Sequence, residues 1–404
     1  MNSKKPGIVY FGNEWFAENR TSSHHMARRL AERANLLYVD SPGMRAPTTS
    51  GRDLKRMVKK LTQAMRLPTR TPQGLWHCTV PQLPWRRMPG VDTLNRWFGA
   101  WAVRRAMRHA GIGGDFSGGN SEAILWFVVP HPSFMLDAVP HQRAVYYCID
   151  DYAAHPGVDA ARIRACDAQL TRQCDHVFVA PPALVDAKKA VNPHTSFSPH
   201  GVDVALFAQA QNPATVVPAA AAALQGKGPV IGYFGLIAAW TDVALIEWLA
   251  QQRPQWHFLL IGHASVDVSR LARWPNVTLT GPQPYESLGA WAKAFDVAII
   301  PYLLNQQVRN ANPLKLREYL ATGKPVVSVP TPEVDRFAAV VHVADGREAF
   351  LSAMEVALHE NTPELCAARM AAVKDMSWEH RAQTALEIAL GAGQNSARAA
   401  PPRQ

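Results

Sequence analysis

The sequence predicts an α/β protein with two domains, on three observations. Apolar runs rich in β-branched residues, which suit buried parallel strands, alternate along the chain with segments of helical periodicity. The length of 404 residues exceeds what a single hydrophobic core usually serves. The Pro/Ala/Gly-rich stretch 211–229 separates two halves that repeat the same alternation, so it is predicted to connect them.

The strands and helices of the two halves are predicted in chain order as follows. The first half opens with a strand at 7–11, a helix from about Ser23 to Arg33 and a strand at 36–40. Its further strands are predicted at 124–130, 144–152 and 176–181, with a helix of about 159–173 before the last one. The second half has predicted strands at 230–235, 257–262, 277–281, 296–302 and 325–329, and helices of about 242–252, 346–358 and 378–390.

Bulk composition narrows the class of protein. An apolar content of 48% is that of a globular chain. The five cysteines are scattered and form no Cys-x-x-Cys pair, which predicts reduced thiols, a cytoplasmic setting and no zinc site. The apolar run near the start is too short for a signal peptide, and no apolar stretch reaches the ~18 residues that a membrane-spanning helix needs.

Positive charge is concentrated in one region. Residues 45–110 contain 14 Lys and Arg against two Asp, a net charge of +12 in a chain whose total is +10. Within this region, residues 52–66 are predicted to form a basic amphipathic helix, and residues 85–108 combine tryptophans with arginines. Such segments suit an anionic membrane surface. The alternative is that they dock on their own domain and leave a solvated basic face.

Polar side chains follow the first predicted strand, at the edge where parallel α/β sheets bind ligands. The candidates in this loop and the start of its helix are Asn19, Arg20, Ser23, His24 and His25. There is no Gly-x-Gly-x-x-Gly after the strand, so a dinucleotide fingerprint is missing. The alternative is that Ser22 or Ser23 only caps the helix. Arg20, Ser23 and His24 are therefore candidate acceptor or cleft residues.

A second pair of candidates follows the strand predicted at 144–152. Asp150 and Asp151 are adjacent carboxylates at its end, where they are placed to act as a general base. The alternative is that one of them caps a helix. Both are predicted catalytic residues.

The stretch Asn310–Val329, NANPLKLREYLATGKPVVSV, carries the most functional information. Asn312 is predicted to be the N-cap of a short helix with Pro313 at its first position, and Gly323 to end it. Lys315 falls in the first turn, where the helix dipole disfavours a cation unless an anion lies between them. A diphosphate is such an anion, and Glu318 one turn later could accept from a ribose diol. The alternative is an exposed Lys315–Glu318 ion pair, which would contribute little.

The segment NPLKLREYLATGKPVVS resembles the donor-binding motif of GT-B glycosyltransferases, in the group that resembles family 4 and includes bacterial cell-surface polysaccharide enzymes. The resemblance implies an α/β GT-B architecture: two Rossmann-like parallel-sheet domains facing a cleft, with a C-terminal helix that crosses back to the first domain. It also implies that this helix caps the diphosphate of a nucleotide sugar and that Glu318 holds the ribose. The segment TSFSPHGVDVALF at 195–207 is similar to the family's exit from the first domain.

The resemblance gives the predicted division of the chain. An N-terminal Rossmann-like acceptor and membrane domain is expected at 1–207 and a linker at 208–229. A C-terminal Rossmann-like nucleotide-sugar domain is expected at 230–376, a helix returning to the N-terminal domain at 377–390 and a disordered tail at 391–404. The predicted donor-binding residues are Lys315, Glu318, Asn312, Leu314, Asn310, Arg309, Gly235, Trp240, Asp242 and Tyr285.

The sequence departs from the family pattern at two places. Retaining relatives carry Glu-x7-Glu, but the position eight residues before Glu318 is Asn310, so inversion of the anomeric configuration is favoured. The loop GLIAAWTD after the strand at 230–235 lacks the cations that relatives place on the diphosphate, which leaves Lys315 with Arg309 or Arg20 to serve it.

These features predict a glycosyltransferase that moves a sugar, commonly uridine-linked in this family, to an acceptor hydroxyl. The chain contains no Asp-x-Asp, so a metal-independent mechanism without a cofactor is expected. The acceptor is expected to be a lipid-linked saccharide, and the protein to lie peripherally on the inner face of the plasma membrane. Two alternatives are a nucleotide-sugar epimerase of the same fold and a basic nucleic-acid-binding protein, although no aromatic–basic platform of RNA binders is seen and no nucleic-acid partner is expected.

Overall fold

The computed structural model of the chain describes residues 5–17, 20–41, 66–80, 90–114, 121–155 and 157–391. The chain divides into two units: Met1–Pro199 with Arg381–Gln404, and His200–His380. The predicted helix at 52–66 and the beginning of the segment 85–108 fall almost wholly outside the described residues, as does the predicted tail from 392 onward.

In the described part of the first unit, eight strands form one sheet. They are β1 (Gly7–Gly12), β2 (Asn35–Asp40), β3 (Thr69–Arg70), β4 (Trp76–Thr79), β5 (Ile124–Phe127), β6 (Arg143–Cys148), β7 (His176–Val179) and β8 (Thr195–Phe197). Their order across the sheet is β3-β4-β2-β1-β5-β6-β7-β8. Every neighbouring pair is parallel except β3 and β4. Strands β3 and β4 lie in the basic region, between the segments 52–66 and 85–108, where no element was predicted.

The described helices of the first unit connect these strands. They are α1 (Ser22–Arg33), α2 (Val91–Ala110), α3 (Met135–Ala138), α4 (Ala160–Gln173) and α5 (Val185–Val191). The central strands are buried on both faces, as a parallel sheet covered by helices requires. In β1, Ile8 and Tyr10 pack into one core while Val9 and Phe11 pack into the other, because successive side chains of a strand point to opposite faces.

The described part of the second unit contains six strands, all paired in parallel. They are β9 (Val230–Phe234), β10 (His257–Ile261), β11 (Val277–Leu279), β12 (Val297–Ile300), β13 (Val326–Ser328) and β14 (His342–Val343). Their order is β11-β10-β9-β12-β13-β14. The described helices from residue 200 onward are α6 (Val204–Ala208), α7 (Ala219–Ala222), α8 (Val243–Gln252), α9 (Leu288–Ala292), α10 (Gln306–Arg309), α11 (Leu314–Ala321), α12 (Pro332–Asp335), α13 (Arg347–His359), α14 (Pro363–Ala371) and α15 (Trp378–Ala389).

The stretch expected to link the domains is packed on the second unit. Ala221 of α7 is buried in that unit's core. The amide of Gln211 donates to the carbonyl of Thr322 at 2.6 Å, and Lys293 donates to the carbonyls of Asn212, Pro213 and Thr215 at 2.8–2.9 Å. The chain therefore passes between the units at residues 199–200, ahead of the composition change.

Helix α15 carries the chain from the second unit into the first. Its residues from 381 onward belong to the first unit, where Ala382, Ala385 and Leu386 pack into the core that contains Tyr10 and Trp126. The prediction of two Rossmann-like parallel-sheet domains in an α/β protein is confirmed. None of the described helices has the length and apolarity to cross a membrane.

Candidate functional site

The N-terminal end of α11 is built differently from the prediction in one respect. The N-cap is Pro313, with φ −69° and ψ 121°, and the first helical residue is Leu314. Asn312 does not cap the helix, because its Oδ1 accepts a hydrogen bond of 2.6 Å from the guanidinium of Arg317. The predicted end is confirmed: Gly323, with φ +73°, follows the last turn and takes the left-handed conformation that favours glycine.

Lys315 is buried at this helix end and reaches the carboxyl end of β9. Its Nζ lies 3.8 Å from the centroid of the Tyr233 ring and 5.1 Å from that of Tyr302. A Cβ placed on Gly235 would lie 3.2 Å from the same nitrogen, so the glycine lets the ammonium approach the backbone. The ammonium is thus held against two aromatic faces, a favourable contact for a cation. The alternative of an exposed Lys315–Glu318 pair is wrong, because both residues are less than 9% exposed.

Glu318 lies one turn further along α11. The hydroxyl of Tyr285 donates to its Oε1 at 3.2 Å. Burial raises the pKa of Glu318 to about 7, and burial lowers the pKa of Lys315 to about 7. A bound anion beside Lys315 would favour its charged form.

Three other predicted donor residues, Asp242, Trp240 and Asn310, cap helices or form backbone hydrogen bonds in the second unit. Asp242 is the N-cap of α8 and accepts from the Leu245 N–H at 2.8 Å, while the carbonyl of Trp240 accepts from the Leu303 N–H at 2.8 Å. Asn310 is the C-cap of α10. Two remaining candidates keep some exposure: Arg309 is exposed and Leu314 is half-buried.

Sequence reasoning missed the side chains that fix α11 against the sheet. The hydroxyl of Tyr319 accepts from the backbone N–H of Phe234 at 2.9 Å, which anchors the helix to the last residue of β9. Tyr319 follows Lys315 by four residues, so their shared helix face could have been read from the spacing. The contacts of Lys315 with Tyr233 and Tyr302 had no such local signal.

In the first unit, the loop after β1 is organised by its own side chains. The N-cap of α1 is Thr21, so the alternative that Ser22 or Ser23 caps this helix is wrong. His24 Nδ1 accepts from the Thr21 N–H at 3.0 Å, and its Nε2 donates to the carbonyl of Glu14 at 2.9 Å. Burial lowers the pKa of His24. Ser23 and His24 are therefore buried and engaged within the unit, whereas Arg20 keeps partial exposure.

Asp150 and Asp151 follow the end of β6. The Oδ1 of Asp150 accepts from the Asp151 N–H at 2.8 Å, and its Oδ2 accepts from His155 Nε2 at 2.8 Å. Asp151 is the N-cap residue of a short 3-10 turn, Tyr152–Ala154, but its side chain makes no capping hydrogen bond there. The simple N-cap alternative therefore does not account for either carboxylate. The side chain of Asp150 stays 29% exposed, so a substrate hydroxyl could reach it.

Among the residues that the structure describes, no three His, Cys, Asp or Glu side chains come together in the manner of a metal-ion site. The candidate donor site presents a different set of groups. It consists of a buried ammonium, a helix N-terminus and the backbone of a glycine at the carboxyl end of a strand, which together suit an oxyanion.

Comparison with known proteins defines the class. Residues 228–360 match the sequence profile described as glycosyl transferases group 1, and this segment contains the whole candidate donor site. Together with the two parallel sheets, this match supports the prediction of a group 1 glycosyltransferase with the GT-B fold. The epimerase and nucleic-acid-binding alternatives receive no support from these matches.

The individual relatives share limited sequence identity with this chain. The chain is 27% identical over 270 residues to TuaH of Bacillus subtilis (strain 168), a protein assigned to teichuronic acid biosynthesis as a glycosyltransferase. The alignment covers 61% of this chain and 66% of that relative. Among solved structures, sucrose-phosphate synthase from Thermosynechococcus elongatus matches with a TM-score of 0.68 and 13% identity, over 95% of this chain and 98% of that one. Anabaena HepE in complex with UDP and glucose matches with a TM-score of 0.64 and 12% identity, over 95% and 99% of the two chains.

Proposed function

We propose that this protein transfers a sugar from a nucleoside diphosphate donor to a hydroxyl of a saccharide acceptor in the assembly of a cell-envelope polysaccharide. The observation that carries the proposal is Lys315, a buried lysine at a helix N-terminus where the dipole disfavours a cation. Such an arrangement is stabilised when an anion binds between the ammonium and the free N–H groups of the helix. The diphosphate of a nucleotide sugar is the anion that fits the class of the protein.

The same groups account for departure of the nucleotide. As the bond from the sugar to the diphosphate breaks, negative charge develops on the β-phosphate, and the Lys315 ammonium and the helix end stabilise that charge. We propose that this happens without a metal ion. We propose that Glu318 accepts from the ribose hydroxyls, and the hydrogen bond of 3.2 Å from the Tyr285 hydroxyl to Glu318 Oε1 supports this role. Uridine is the proposed base, and the HepE structure contains UDP in a protein of similar fold.

We further propose that the acceptor is lipid-linked and that α2 binds the membrane. Leu94, Trp97, Phe98 and Trp101 follow the i, i+3, i+4, i+7 spacing of one helix stripe and are 36–62% exposed. The opposite side of α2 is buried in the first unit's core through Val103 and Met107, among others. An exposed aromatic stripe supports a membrane contact over the alternative of a merely solvated basic face. The protein would then act at the inner face of the plasma membrane.

The membrane proposal predicts the behaviour of a double variant. Trp97→Ala/Trp101→Ala should weaken binding to phosphatidylcholine vesicles containing phosphatidylglycerol by at least about tenfold, because two aromatic side chains no longer enter the interface. Added salt should weaken wild-type binding by screening the nearby arginines. Vesicle sedimentation measures both effects. Val216→Ser, which changes an 83% exposed side chain of the second unit, is the control. Equal binding by the double variant and the control would contradict the proposal.

The donor proposal predicts a bell-shaped dependence of UDP-glucose affinity on pH, with its maximum near pH 7. The diphosphate raises the pKa of Lys315, so above pH 7 binding must take up a proton and affinity falls by up to about tenfold per pH unit. Ribose hydroxyls favour ionised Glu318 and lower its pKa, so below pH 7 binding must release a proton and affinity falls again. Isothermal titration at several pH values, in buffers of different ionisation enthalpy, measures both limbs.

Two variants show which residue causes the acidic limb and which causes the alkaline limb of the pH dependence of affinity. Lys315→Arg keeps its charge at every pH tested and should flatten only the alkaline limb. Glu318→Gln cannot ionise and should flatten only the acidic limb. A wild-type affinity that does not change between pH 6 and 9 would contradict the proposed donor site. A thermal-shift screen of nucleotide sugars with other bases would test the proposal that the donor is uridine-linked.

A further inference from the structure

A buried ion pair lies behind the candidate donor site. Arg317 and Glu333 are 1% and 0% exposed, and the guanidinium donates to Glu333 Oε1. Arg317 also donates to Asn312 Oδ1 at 2.6 Å and lies 5.5 Å from the centroid of the Phe337 ring. It follows Lys315 by two residues and so points roughly 200° away around α11. The pair is therefore on the side of the helix away from the candidate ligand.

The contacts of Arg317 tie the entrance of α11 to the sheet. Glu333 lies in α12, whose N-cap Thr331 accepts from the Val334 N–H at 3.2 Å, and this turn follows β13 directly. Through Arg317, the carboxylate is connected to Asn312, the residue before the N-cap Pro313. The loop before Lys315 is thus connected to α12 by successive hydrogen bonds, from Asn312 through Arg317 to Glu333.

The stability of the fold does not by itself explain why the two buried residues Arg317 and Glu333 are charged. Withdrawing both charges from water is costly, and replacing a buried pair by well-packed apolar side chains is often neutral or stabilising. Hydrogen bonds between ionic groups do, however, fix the directions of the groups that they join. Misplacement of a binding group by about 1 Å can reduce activity by about two orders of magnitude.

We propose that Arg317 is a positioning residue for the donor site: with Glu333 it holds Asn312 and the first turn of α11 so that Lys315 and the free N–H groups converge on the diphosphate. The inference rests on the proposed function for the identity of the ligand. Arg317 does not touch the ligand and acts only through the placement of its neighbours.

The test is a double variant that removes the ion pair but keeps the volume of the core. Arg317→Met/Glu333→Leu should melt within about 3 °C of wild type. Arg317→Met alone, which takes the guanidinium away from the buried Glu333 carboxylate and leaves it the 3.7 Å contact with Arg336, should melt about 10 °C lower. Despite its stability, the double variant should bind UDP-glucose at least about tenfold more weakly. In amide hydrogen exchange, α11 should exchange faster in the double variant while α8 does not change.

The outcomes separate this inference from the proposed function. A stable double variant with wild-type affinity and wild-type exchange in α11 would overturn the positioning role. If the double variant does not fold, Asn312→Ala, which leaves the ion pair in place, should show the same weaker binding and faster exchange, and wild-type values for both would overturn it. If the wild-type protein binds no nucleotide sugar, the proposed function fails, and the exchange comparison still decides whether Arg317 orders the helix.

Discussion

Replacing Asp150 by Asn should lower turnover by about 10²- to 10⁴-fold while leaving binding of the nucleotide sugar nearly unchanged. An inverting transferase needs one base that takes the proton of the acceptor hydroxyl, and we propose Asp150 for that role. An amide cannot take up this proton, but its oxygen can still accept from the Asp151 N–H, and its NH₂ can donate to the other tautomer of His155. The local fold should therefore survive.

Asp151→Asn is the matched control, because it makes the same change of charge one residue away. Its turnover should fall by less than about tenfold, since the proposed base is Asp150, whose Oδ2 is oriented by its bond to His155. A larger loss in the Asp151 variant would move the base to that residue. Nuclear magnetic resonance coupling constants of the product should show the anomeric configuration opposite to the donor's, and a retained configuration would refute the inverting mechanism.

Replacing Lys315 by Ala should weaken binding of the nucleotide sugar by about 10- to 100-fold and reduce turnover. A charge-assisted hydrogen bond of this kind contributes about 1.5–3 kcal/mol. The loss should appear in turnover as well as in affinity, because the charge on the leaving diphosphate increases in the transition state. Isothermal titration and initial rates measure the two effects.

The Lys315→Ala substitution should leave the fold and its stability nearly unchanged. Burial already lowers the pKa of Lys315 and raises the pKa of Glu318, so removal of the cation leaves a carboxyl that can stay protonated and neutral, whereas Glu333 is paired directly with Arg317. The melting temperature should stay within about 3 °C of wild type. Lys227→Ala, which removes an exposed lysine of the same unit, should change neither affinity nor turnover. Wild-type affinity in Lys315→Ala would exclude the lysine from the donor site.

The sequence by itself determined the elements that depend on local chemistry. The strand–helix alternation predicted both parallel sheets, and Gly323 predicted where α11 ends, because periodicity and backbone preference act over a few residues. Lys315 was identified for the same reason: its conflict with the helix dipole lies within one helical turn. The error at the start of α11, where Asn312 does not cap, arose because Arg317, five residues on, donates to its side-chain oxygen, and the direction of Arg317 depends on Glu333 of another helix.

Only the tertiary structure decided the surroundings of these residues. Tyr285 reaches Glu318 across 33 positions of sequence, Tyr319 reaches the backbone of Phe234 across 85, and Arg317 reaches Glu333 across 16. No periodicity connects such positions, since they meet only after parallel strands have aligned their carboxyl ends. Burial follows from the same alignment. It brings the pKa of Lys315 and that of Glu318 close to 7, a property that an isolated helix in water would not have.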